Sequence, residues 1–119
     1  MIGRKISIYL SLASMRETAR YVTPDGKFTL LVVPADDLIG FEQYPWHTHG
    51  DFLPSVYQID SVSQFLEALF SDRLVMAVTR IGGTVRDVCI SSDPANEREL
   101  LTEGETIELR YWSGRPYAG

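Results

Sequence analysis

The chain has 119 residues, 45% of them hydrophobic and 23% charged, which excludes a disordered or fibrous polymer and fits a single domain over residues 1–119. Its formal charge of −5 argues against a nucleic-acid-binding module, because phosphate contacts need the opposite sign. The one cysteine, Cys89, excludes an internal disulfide framework and a multi-cysteine metal site. No apolar run is long enough for a membrane-spanning helix.

Arg4 and Lys5 ahead of Ile6–Ala13 imitate the start of a signal peptide. A signal core is continuously apolar, whereas Ile6, Ile8, Leu10 and Leu12 here alternate with Ser7, Tyr9 and Ser11. A strand over 4–13 is expected instead, and with a lone thiol the cytoplasm is the expected compartment. Residues 17–23 and 27–33 read as a hairpin around Thr23-Pro24-Asp25-Gly26, in which Pro presets φ, Asp caps locally and Gly supplies the left-handed position. Phe28–Val33 is continuously apolar and reads as a central strand, ended by Pro34. Residues 34–58 show no period and contain Pro34, Gly40, Pro45, Gly50 and Pro54. So long an irregular stretch is usually functional or ordered by its own side chains.

A helix is expected over 61–71, capped by Asp60 or Ser61, with Val62, Phe65, Leu66, Leu69 and Phe70 making one apolar stripe. Residues 73–81 and 84–90 read as a hairpin turned by Gly82-Gly83. Asp93-Pro94 opens a short helical or turn segment, and 106–112 is a last strand with Ile107, Leu109 and Tyr111 on one face. The sum is an α+β domain: a mostly antiparallel sheet of about six strands with the 61–71 helix packed on one face. In this reading Cys89, between Val88 and Ile90, is a small strand hydrophobe rather than a nucleophile, since pairing with His47 or His49 would need a coincidence of folding.

Both histidines lie in Tyr44-Pro45-Trp46-His47-Thr48-His49-Gly50-Asp51-Phe52. In an extended segment residues i and i+2 point the same way, so His47, His49 and Asp51 are candidate ligands of one zinc ion. Two imidazoles, one carboxylate and an open position suit a metal-dependent hydrolase, which is the alternative function. A second reading is structural: Phe41, Tyr44, Trp46, Phe52 and Tyr57 anchor the loop, Trp46 is buried and the two imidazoles find separate partners. A third is a histidine-aromatic surface for a partner. His47-Thr48-His49 also resembles the histidine pair of JAMM-type zinc isopeptidases. That family follows its pair with Pro and a spaced Ser-x-x-Asp, whereas Gly50 stands at the first place and Gln58 and Ser61 at the others.

The charge is lopsided. Residues 1–27 carry Arg4, Lys5, Arg16, Arg20 and Lys27 against Glu17 and Asp25, a balance of +3. Residues 87–108 carry Asp87, Asp93, Glu97, Glu99, Glu103, Glu105 and Glu108 against Arg98, a balance of −6. Such a stretch is either a solvated face that maintains solubility or a patch that steers a basic partner. Trp46–Asp51, Arg73–Val78 running into Gly82-Gly83, and Glu108–Gly114 together look like small bacterial cytosolic proteins of the acidic immunity type. The resemblance implies a non-enzymatic binding protein, without cofactor, that neutralises a basic toxin domain. On that reading Glu97, Glu99, Glu103 and Glu105 contact the partner.

Overall fold

The computed structural model describes residues 17–118, so the strand expected over 4–13 lies outside the described residues. The architecture is α+β, with seven described strands, all pairing antiparallel and divided between two sheets. The first sheet is a meander of β1 (Ala19–Val22), β2 (Thr29–Val33), β3 (Leu38–Phe41) and β4 (His47–His49), in that spatial order. The turn between β1 and β2 follows the chemistry of its residues: Thr23 Oγ donates to Asp25 Oδ1 at 2.7 Å and accepts from the Phe28 amide at 3.1 Å.

Residues 34–58 are more regular than their sequence suggests. They hold β3 and β4, two single 3₁₀ turns, and the short helix α1 (Leu53–Tyr57). Strands of four and three residues are too short to show a period, and the apolar run Leu38-Ile39 masks the alternation. Register places Ile39 beside Thr48 and Val32, facing the core, and puts Leu38, Gly40, His47 and His49 on the outer face.

The main helix α2 (Val62–Phe70) starts where capping chemistry requires. Ser61 Oγ accepts from the Gln64 amide at 3.2 Å, and the Gln64 side chain accepts from the Asp60 amide at 3.3 Å. Its stripe buries Phe65, Leu66, Ala68 and Leu69. The second sheet has β5 (Val75–Ile81) between β6 (Thr84–Ser91) and β7 (Glu105–Arg110). Gly82 and Gly83, at φ of +57° and +83°, close the two-residue β5–β6 turn, a left-handed pair that side-chain-bearing residues resist.

One core joins the layers. Leu30, Val32, Ile39 and Phe41 of the first sheet meet Phe65, Leu66 and Leu69 of α2 and Met76, Val78, Val88 and Ile90 of the second. Strand β5 is buried on both faces, because Val75 and Ala77 enter a smaller cluster with Leu109, Cys89, Ile107, Tyr111 and Tyr117. The apolar face of β7 therefore belongs to that satellite. The face that looks polar in sequence turns toward the main core, with Arg110 opposite Met76, and Trp112 following it buried against Phe70 at 4.7 Å.

Candidate functional site

Two regions hold the residues singled out by sequence. The first is the histidine strand. His47 and His49 sit on the outer face of β4, as the i, i+2 spacing requires, and their ring centroids are 5.2 Å apart, edge to face. His47 Nδ1 contacts the Pro45 carbonyl at 3.2 Å, and His49 Nδ1 contacts the Asp37 carbonyl at 2.9 Å. A carbonyl has no proton to give, so each Nδ1 is the donor and, in the neutral ring, each Nε2 keeps its lone pair.

Asp37 organises this strand, and nothing in the local sequence marks it. It adopts a left-handed φ of +51° after the turn Pro34–Asp36. Its carbonyl also accepts from the Gly50 amide at 3.2 Å, and its carboxylate accepts from the Asp51 amide at 3.1 Å. The Asp37 carboxylate occupies the space that a Cβ at residue 50 would need, so a larger residue there would displace this carboxylate from the Asp51 amide. Asp51 opens a helical turn with an exposed side chain, and Trp46 is half-buried against Phe41. The imidazoles thus have separate backbone partners, as the structural reading expected, while their rings remain neighbours. Among the described residues, no group of three or more His, Cys, Asp or Glu side chains gathers as metal ligands would. That is one short of the three protein ligands a catalytic zinc keeps.

The second region is a cleft of about 220 Å³ on the outer face of the second sheet. Ala77, Thr79, Cys89 and Ile107 of the sheet line it. The segment Pro94–Leu101 covers it with Glu97, Leu100 and Leu101, and Pro45 contributes from the other side. Asp87 stands at its edge and ties the layers together, its carboxylate accepting from the Trp46 amide at 3.2 Å and its neighbour Val88 at 2.9 Å. Burial first, then the negative charges of Glu97 and Asp87, push the Cys89 thiol up to about 12, so it is a protonated, weakly reactive group. Burial also raises the Tyr57 hydroxyl above its usual range, reinforced by Cys89 and Glu97, and that hydroxyl donates to the Ile90 carbonyl at 2.6 Å.

The acidic stretch is only partly an open surface. Glu105 does not face solvent: its side chain is 3% exposed, pairs with Arg86, and accepts from the Thr102 amide at 2.7 Å. A bulge produces that pair. The register shifts between Thr79 and Arg80, leaving Arg86 as the extra residue and turning it toward β7. Glu108 pairs with Arg80 at 2.8 Å. Both arginines lie outside the 87–108 segment, so counting charge along the chain overstates the field that folding leaves. Among the described residues, the carboxylates of this stretch free of cationic partners are Asp87, Asp93, Glu97, Glu99 and Glu103, beside Arg98, and Asp87 is already held by the Trp46 and Val88 amides. Asp93, Glu99 and Glu103 are exposed. Glu97 is half-buried, and its Oε2 is shielded from solvent with no hydrogen-bond partner among the described residues. No protein-family model matches the chain, and no curated protein or solved structure matches it.

Proposed function

We propose that this chain is a non-enzymatic binding protein that docks a basic protein domain through the acidic segment 93–103, in the manner of a cytosolic immunity protein neutralising a toxin. The supporting observation is that Glu105 and Glu108 pair with Arg86 and Arg80, whereas Glu97, Glu99 and Glu103 have no cationic partner among the described residues. The exposed carboxylates of Glu99 and Glu103 can take charge-assisted hydrogen bonds from a lysine or arginine of a partner. Glu105 drops out of the contact set, because it is committed to Arg86. The cytoplasm belongs to the same proposal.

The test is equilibrium binding to the partner recovered on the immobilised protein from its source cells. Replacing Glu97, Glu99 and Glu103 together by Lys should weaken the complex, while replacing the exposed Asp36 and Asp60 should not. Equal affinity of the triple variant and the parent would remove the acidic segment from the interface.

A further inference from the structure

We propose that His47 and His49 form a two-imidazole binding site for a late first-row divalent cation, Cu²⁺ above Zn²⁺, through their Nε2 atoms. The inference stands apart from the docking face, since it uses the outer face of the first sheet.

Three observations converge. The two rings share one strand face, with centroids 5.2 Å apart. Two imidazoles bound side by side to one ion at about 2.0–2.1 Å hold their centroids roughly 4.5–5 Å apart across square-planar and tetrahedral geometries, so the ring spacing is compatible with shared ligation. Both Nδ1 atoms are held by backbone carbonyls, those of Pro45 and Asp37. Ligating histidines use this second-shell arrangement: the anchored N–H fixes the tautomer and ring orientation, and leaves Nε2, across the ring from the backbone, as the donor. Asp37 is itself fixed by the amides of Gly50 and Asp51, so the anchor of His49 is rigid. Finally, His47 is exposed and the His49 side chain lies in an accessible position, so an ion reaches them without unfolding.

Two protein ligands leave the remaining positions to water or to a group brought by another molecule. The site is therefore a modest, exchangeable one rather than a closed structural centre. Imidazole donors suit copper and zinc, and the Irving–Williams order places Cu²⁺ first. Cys89 is not a competing ligand, because its thiol is held protonated in the cleft of the other sheet.

Calorimetric titration of the untagged full chain with Cu²⁺ tests this, with nitrogen hyperfine structure in the electron paramagnetic resonance spectrum as a second readout. One ion per chain and two nitrogen ligands are expected. His47→Gln and His49→Gln should each weaken binding by at least the roughly 10–100-fold that loss of an outer-shell partner costs, and Cys89→Ser should leave it unchanged. The chain has only two histidines, so acylation of wild-type imidazoles by diethyl pyrocarbonate reads the pair directly, without any variant having to fold. Bound Cu²⁺ should protect both rings. Absence of saturable binding, binding indifferent to both His variants, or acylation that proceeds at the same rate with metal present would each overturn the site.

Discussion

Burying Arg110 at 2% exposure takes a guanidinium out of water, and its replacements are specific. Nη1 donates to Asp25 at 2.7 Å, Nε and Nη2 donate to the carbonyls of Tyr111 and Trp112, and the group lies over the Phe28 ring. This single residue ties the second sheet to the β1–β2 turn of the first. Burial raises the Asp25 carboxyl, but hydrogen bonds from Arg110, Thr23 and the Lys27 amide outweigh it and hold the group at about 2, below the usual 3.8. The folded state thus favours the ionised form. The resulting stability is complete above pH 4 and is lost as the pH falls through the folded value toward 2. Asp25→Asn should cost about 1–3 kcal/mol near neutrality by leaving the buried guanidinium facing a neutral group, and should flatten the acid limb of the melting temperature against pH. A variant whose melting temperature tracks the parent between pH 4 and 2 would show that Asp25 carries no such linkage. At the same scale, native Cys89 should resist iodoacetamide at pH 8 and react promptly in denaturant, read by mass spectrometry. The role of Arg110 is not legible in sequence, since its carboxylate lies 85 residues away. The histidine pair is legible, because i, i+2 placement follows from strand geometry alone. Its organiser Asp37 is not, because a turn and a strand separate it from the residues it holds.

Among elements, α2 was the most readable. Its stripe, cap and length, expected over 61–71, appear over Val62–Phe70, because a 3.6-residue period sustained for nine residues has no competing reading. Leu66 is fully buried between both sheets. Leu66→Ala should destabilise the domain by about 2–5 kcal/mol, measured by urea unfolding with an unchanged slope against denaturant. A loss below about 0.5 kcal/mol would contradict a helix packed in this core. The β5–β6 hairpin was equally readable from Gly82-Gly83. Strand β7 shows where patterning misleads. Its alternation correctly identified two faces, but the apolar one serves a satellite cluster, and the polar one buries an arginine in a ready-made set of acceptors. Periodicity reports that a face is buried, not which core it joins. The stretch 34–58 hid β3 and β4 for a related reason. Elements of three or four residues are set by pairing partners and by left-handed residues such as Asp37 and Gln43, which no window along the chain detects.

Over the whole molecule, the two sheets enclose one core with α2, and the chain's acidity is redistributed by folding. Arg80 of the adjoining strand β5 and Arg86 of β6, one strand further, pair with Glu108 and Glu105 of β7, so the field is concentrated on 93–103. An acidic face of that kind acts chiefly on encounter, raising the association rate of a basic partner and making it fall with salt. A face that serves solubility alone has no such signature. The decisive measurement is the association rate of the partner at two ionic strengths, about 0.05 and 0.3 M, for the parent and for Glu97→Lys/Glu99→Lys/Glu103→Lys, with circular dichroism to confirm an unchanged fold. The account predicts a slower association for the variant and a flatter dependence on salt. An association rate that is the same for both proteins at both ionic strengths would contradict it.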